Sequence, residues 1–234
     1  MDKVIYLAAG YAKLQYENVT YNDLIVPREN RQNMLDVNLT PYDILLATPP
    51  CNFYSYARGS NPPSKYALET AHLLLEIIIK FYKTGKPFIV ENVSNKNSLD
   101  FIWALSTELG LYRFKYSRHT YITNCYFDVR SAQKYFDFIK ERNPYFDKQG
   151  GFQVSEVLDL FIKSVLQAPL AAQPAQPAQP AQSEQVHKAQ QAWGSDKAPL
   201  AAQPSLRQTP YSDKIDIFIS HARIELEKRL KLKM

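Results

Sequence analysis

The sequence is poor in cysteine and glycine and has no long hydrophobic run. Its two cysteines, Cys51 and Cys125, are too few for a disulfide framework and lack the spacing of a metal site. The longest apolar stretch, around residues 73–79, is far too short to cross a bilayer. We therefore expect a cytoplasmic protein without membrane spans or metal, in a reducing environment that keeps a thiol available.

Charge of either sign is only slightly in excess. Lys and Arg number 28 against 23 Asp and Glu, which gives a net charge of +5 and a pI near 9.0. This balance leans only mildly toward polyanionic partners. The 45% hydrophobic content is enough for a core, and the sixteen tyrosines suit surfaces that stack on ligands.

The composition changes sharply after Gln167. Ala-Gln-Pro triplets run to about Gln182, and the heptad Ala-Pro-Leu-Ala-Ala-Gln-Pro at 168–174 returns at 198–204. Because proline lacks a backbone donor and such repeats bury little, we expect an extended, disordered linker. The predicted organisation is a domain over 1–166, a linker over 167–213 and a short, basic amphipathic helix over 214–234.

Strand-like and helix-like patterns alternate within the first 166 residues. The predicted strands are 4–8, 23–26, 43–47, 87–90 and 121–127, and the predicted helices are 65–82, 103–111 and 155–166. This alternation predicts a single compact α/β domain with an open, mostly parallel sheet. Active sites in such sheets lie at the carboxyl ends of the strands.

Two of these strand ends carry chemically informative residues. Thr48-Pro49-Pro50-Cys51 follows one buried strand, and Glu91-Asn92-Val93 follows the next. A lone cysteine is most often a small buried hydrophobe, and a carboxylate at a strand end often caps or pairs. A rigid Pro-Pro turn before the thiol and a carboxylate after an apolar strand favour a functional interpretation.

The ordered set of these motifs resembles the DNA cytosine-C5 methyltransferase family, in particular its small bacteriophage-encoded members. A Pro-Pro-Cys turn, a Leu-Leu-Leu-Glu helix and Lys-Pro-Phe-Ile-Val-Glu-Asn-Val follow one another, most closely over residues 42–93 and more loosely over 20–166. The resemblance implies a Rossmann-like methyltransferase sheet, S-adenosylmethionine as cofactor and DNA as partner. It also implies that Cys51 adds to C6 of a flipped cytosine while Glu91 acts at N3.

The same resemblance implies roles for further residues. Arg118 would contact the flipped base or orient Glu91, whereas the adjacent His119 has the context of a structural histidine. Glu29 competes with Asp23 for the ribose of the cofactor. The other residues implied at the cofactor are Gly10, Asp36, Pro49 and Gly151, and those implied at the substrate are Asn92, Ser55 and Arg58.

The chain also departs from the family pattern. The Phe-x-Gly-x-Gly turn is missing, and the nearest stretch, Val4–Tyr11, has one glycine where close backbone approach to a cofactor favours several. The segment between Arg118 and Gln149 is too short for a domain that reads base edges.

These departures keep two alternatives open beside a monomeric DNA methyltransferase of a restriction–modification or phage system in the host cytoplasm. One is a catalytically degenerate relative that binds DNA or a host protein. The other is pyrimidine-C5 modification of RNA or of a nucleotide.

Overall fold

A computed structural model describes residues 2–55, 62–93, 102, 104–116, 119–126, 151–167 and 212–231. The strands are β1 (Val4–Leu7), β2 (Val19–Asn22), β3 (Ile44–Ala47), β4 (Phe88–Val93), β5 (Tyr112–Tyr116) and β6 (His119–Thr123). The main helices are α1 (Lys65–Thr70), α2 (Leu73–Thr84), α3 (Gly151–Gln167) and α4 (Ser212–Lys231), with a shorter helical stretch at 104–108. The predicted α/β class is confirmed, while most of the predicted linker lies outside the described residues.

The six strands form one sheet in the order β2-β1-β3-β4-β6-β5. The first four are parallel, and β6 runs antiparallel to both of its neighbours. The chain leaves β1 for β2 on one side and returns to β3 on the other. Connections therefore diverge between β1 and β3, and ligands of open α/β sheets bind outside the carboxyl ends of the strands at such a point.

Several predicted boundaries differ from the observed ones. The second strand lies at 19–22 instead of 23–26, because the Asp23 carboxylate accepts the N–H groups of Ile25 and Val26 and folds that segment into a turn. The predicted helix over 65–82 is divided near Ala71, whereas its expected end at Gly85 is confirmed, since Gly85 caps α2 with a φ of 67°. Strand β5 was not predicted, and β6 begins two residues before the predicted start.

Helices cover both faces of the sheet. On one face, Val157, Leu158 and Phe161 of α3 pack on the apolar side chains of β1, β3 and β4. On the other face, α2 and α4 contribute to a second core cluster. Helix α4 buries Ile219, Ala222 and Leu226 there. Arg223 of α4 also donates two hydrogen bonds to the Glu76 carboxylate of α2, from Nε and Nη2, each at 2.7 Å. Among the described residues no helix combines the length and apolarity that a membrane crossing requires.

Candidate active site

The turn that carries Cys51 is fastened to the sheet at both of its ends. At its start, the Thr48 N–H donates to the Leu7 carbonyl (3.1 Å) and the Thr48 hydroxyl donates to the Ala8 carbonyl (2.8 Å). After it, the N–H groups of Tyr54 and Ser55 donate to the Cys51 carbonyl at 2.9 and 2.8 Å. The backbone of Cys51 is therefore fixed, and its thiol is partly exposed at the carboxyl edge of the sheet.

Strand β4 brings Glu91 and Asn92 to the same edge. The parallel register pairs Ala47 with Val90, so the residues that follow each strand lie side by side. The Asn92 amide donates to the Pro49 carbonyl at 3.0 Å and, at 3% exposure, is buried. This hydrogen bond joins the Glu-Asn strand end to the Pro-Pro-Cys turn.

His119 is the partner of the Glu91 carboxyl group. Its Nδ1 lies 2.6 Å from Glu91 Oε1, and both side chains are largely buried. The antiparallel register pairs Glu91 with Tyr121, and His119 lies two residues before Tyr121 on the same strand, which brings its ring to the Glu91 carboxyl group. This hydrogen bond between the His119 ring and the Glu91 carboxyl group fixes the orientation of the carboxyl group.

Burial and a nearby charge both act on the Cys51 thiol. Removal of water is the larger cause that raises the pKa of Cys51, and the charge of Glu91 raises it further. The same charge adds to burial in raising the pKa of Tyr121, whose hydroxyl has no hydrogen-bond partner among the described residues. Cys51, Glu91 and Tyr121 thus form one electrostatically coupled group.

A pocket of about 540 Å³ has Glu91 in its wall, whereas Cys51 and Tyr121 are not among its lining residues. Its lining residues are Tyr6, Ala8, Ala9, Gly10, Tyr11, Ala12, Lys13, Thr48, Glu91, Val154 and Ser155. One wall is the loop that follows β1, and the opposite side is the first turns of α3. The volume is typical of a site for a small organic ligand, and Glu91 supplies the carboxyl group of its lining.

The structure brings together some of the predicted cofactor residues. Gly10 lines the pocket. Asp23 does not line the pocket, but its carboxylate accepts the Gly10 N–H at 2.8 Å. Gly151 begins α3, one turn before the pocket residues Val154 and Ser155.

Other predicted residues lie elsewhere or serve the framework. Asp36 is exposed, outside the pocket lining, where its charge raises the pKa of Lys80 against the larger, lowering effect of burial. Pro49 contributes the carbonyl that holds Asn92, and Ser55 closes the Cys51 turn. Glu29 accepts the Tyr21 N–H at 3.2 Å on β2. Arg58 and Arg118 lie outside the described residues.

Sequence reasoning missed three residues that shape the site. His119 was interpreted as structural, because the strand predicted over 121–127 began two residues after it and nothing in the sequence placed it beside Glu91. Arg28 and Asp159 gave no signal either, since they bind backbone groups of the loop after β1 from other parts of the chain.

Comparison with models of protein families, with curated proteins and with solved structures finds no match. Within the part of the chain that the structure describes, no group of three or more His, Cys, Asp or Glu side chains is arranged to hold a metal ion.

Proposed function

We propose that this chain is an S-adenosylmethionine-dependent methyltransferase that acts on C5 of cytosine in DNA. One observation carries the proposal. The Cys51 turn and Glu91 lie at adjoining strand ends, joined by the Asn92–Pro49 hydrogen bond, and Glu91 forms part of the wall of a 540 Å³ pocket. A nucleophilic thiol and a carboxylic acid are the two groups that addition to a pyrimidine ring requires.

In this proposal Cys51 acts at C6 of the cytosine ring and Glu91 acts at N3. The Cys51 thiolate forms a bond to C6, and the electron pair of the C5–C6 double bond moves to C5. Glu91 donates a proton to N3 and so neutralises the negative charge that addition places on the ring. Methylation of C5 would release S-adenosylhomocysteine as the leaving group. Water would then take the C5 proton, the electron pair of that C–H bond would restore the C5–C6 double bond, and the S–C6 bond would break to give back the thiolate. N3 would return its proton to Glu91, which regenerates the acid.

The electrostatics couple these two residues. Because the charge of Glu91 raises the pKa of Cys51, the thiolate forms more readily when Glu91 is protonated. Protonated Glu91 is also the form that donates to N3. Arrival of the base between them would therefore favour the nucleophile and the acid together, while the free enzyme keeps a protected thiol.

The pocket fits the chemistry of the proposed cofactor. S-adenosylmethionine supplies an electrophilic methyl group on a positively charged sulfonium. Tyr6 and Tyr11 contribute aromatic rings, a group that can attract cations, and Glu91 adds a carboxyl group. Gly10, with φ of 54°, lets the backbone of the loop pass close to a ligand. These residues would hold the cofactor next to the position where the base meets Glu91.

The proposal is tested by trapping the cytosine adduct. The chain is incubated with labelled S-adenosylmethionine and duplex DNA in which 5-fluorocytosine replaces cytosine throughout, so the target sequence need not be known. Release of the adduct requires removal of the C5 proton. Because 5-fluorocytosine has fluorine in place of that proton, the S–C6 bond persists. We expect a covalent complex with the native chain and with Cys125→Ser, and none with Cys51→Ser.

The controls separate the remaining possibilities. RNA that contains 5-fluorocytosine forms a parallel arm, and an adduct in that arm alone would move the proposal to an RNA substrate. A folded native chain that forms no adduct with either nucleic acid, and transfers no label, would refute the catalytic proposal.

A further inference from the structure

The loop that follows β1 contains two residues in the left-handed conformation, and only one of them is a glycine. Ala8 has a φ of 51° and Gly10 a φ of 54°, both in the left-handed region. Glycine adopts this region freely, but a residue with a Cβ pays on the order of 1–2 kcal/mol. Because the sequence here has one glycine in place of a glycine-rich turn, contacts from outside the loop have to hold it.

Asp23 supplies the first of these contacts. The parallel register of β1 and β2 pairs Leu7 with Asn22, so Asp23 lies beside the start of the loop. Its Oδ2 accepts the Gly10 N–H at 2.8 Å, and its Oδ1 accepts two N–H groups of its own turn, also at 2.8 Å. The carboxylate is therefore itself fixed and offers the loop a rigid acceptor.

Arg28 supplies the second contact. Its Nε donates to the Gly10 carbonyl at 2.8 Å and its Nη2 donates to the Ala12 carbonyl at 2.7 Å. The guanidinium carbon lies 4.9 Å from the centre of the Tyr21 ring, which orients the planar group. Both backbone polar groups of Gly10 are thus bound by charged side chains.

We infer that Asp23 and Arg28 form a clamp that replaces the missing glycines and sets the affinity of the pocket for its cofactor. Residues 8–13 make one wall of the pocket, yet neither Asp23 nor Arg28 lines it. They are positioning residues that act through the loop. The part of this inference that concerns the cofactor rests on the proposed function, whereas the clamp itself is a property of the chain alone.

Arg28→Lys tests the clamp with little change in charge, because one ammonium group cannot reproduce the planar fork that binds two carbonyls. Arg31→Lys is the matched control, since Arg31 is an exposed arginine on the same connection. Two measurements use the full chain: amide hydrogen exchange over residues 8–13 without cofactor, and calorimetry with S-adenosylmethionine. Thermal unfolding verifies that each variant is folded.

For Arg28→Lys we expect severalfold faster exchange over residues 8–13 and roughly tenfold weaker cofactor binding, the equivalent of one lost hydrogen bond to a charged group. Arg31→Lys should match the native chain in both. Asp23→Asn, which keeps one acceptor oxygen, should show a smaller loss in the same direction.

The outcomes separate this inference from the proposed function. Unchanged exchange in Arg28→Lys overturns the clamp. Faster exchange with undiminished affinity overturns its role at the cofactor. A native chain that binds no S-adenosylmethionine at millimolar concentration refutes the cofactor role and counts against the proposed function, while the exchange result still decides whether the clamp exists.

Discussion

At the scale of single residues, the chemistry of the site depends on how neighbouring groups shift the pKa of the Cys51 thiol. Most activated cysteines lie near positive charge, which lowers the pKa of the thiol. Cys51 has a carboxyl group for a neighbour, and burial and that charge together raise its pKa. Burial, and to a smaller extent the charge of Glu91, therefore disfavours the thiolate form of Cys51.

This effect of Glu91 is measurable by alkylation. In a Cys125→Ser background, Glu91→Gln should raise the rate at which iodoacetamide modifies Cys51 at pH 8 severalfold, because removal of the carboxylate charge lowers the pKa of the thiol. The rate should rise with pH in both proteins, because thiolate is the reactive form, and should level off at lower pH in the variant. Glu108→Gln, at an exposed position of the 104–108 helical stretch, is the control. Identical profiles for Glu91→Gln and the parent would contradict the coupling.

At the scale of elements, lysine side chains hold the irregular segment that leads into β3. Lys86, just before β4, donates to the carbonyls of Leu39, Thr40 and Tyr42. Lys80 of α2 donates to those of Leu35 and Val37 at 2.6 and 2.7 Å. These contacts satisfy backbone carbonyls of the segment that leads into β3, of which that of Leu39 also accepts the Tyr42 N–H.

Lys86→Met should therefore lower the free energy of unfolding by about 1–3 kcal/mol, because it leaves several carbonyls without a donor. Lys83→Met is the matched control: Lys83 is exposed on the last turn of α2, and its replacement should change the value by less than about 0.5 kcal/mol. Urea denaturation followed by circular dichroism measures both. Equal stabilities of the two variants would show that the Lys86 contacts contribute little.

At the scale of the whole molecule, the C-terminal helix α4 packs against the domain although a long proline-rich segment separates it in sequence. Leu226 is 4% exposed within the cluster that contains the side chains of α2. The charge of Arg229 also lowers the otherwise raised pKa of Tyr54, which lies three residues after Cys51. Helix α4 thus supports the layer behind the Cys51 turn.

If α4 belongs to the same cooperative unit, Leu226→Ala should lower the free energy of unfolding by about 2–5 kcal/mol through loss of buried surface and a cavity. Ile224→Ala, at a side chain that is 50% exposed on the same helix, should cost far less. Denaturant unfolding of the full chain provides the comparison. Equal stability of both variants and the native chain would show that α4 contributes nothing to the unit.

The sequence alone predicted the strands over 4–8, 43–47 and 87–90 and the helical nature of 65–82, because these depend on local periodicity and on turn residues. It placed Cys51 after one strand and Glu91 after the next; the two strands are neighbours, but β4 extends to Val93, so Glu91 lies within it and pairs with Tyr121. The sequence-based prediction misplaced β2. The Asp23 side chain accepts the N–H groups of Ile25 and Val26, so residues 23–26 form a turn instead of the predicted strand. The role of Cys51 and Glu91 in methyl transfer stays a prediction.

Only the tertiary structure decided which residues support the site. Glu91 meets His119 across 28 residues, Arg28 reaches back 18 residues to Gly10, and Asp159 accepts the N–H of Gln15 from 144 residues away. Such contacts follow from strand order and helix packing, and no local pattern encodes them. The sequence alone showed that Cys51 follows a short buried strand. The neighbours that shift the pKa of its thiol come together only once the sheet has formed.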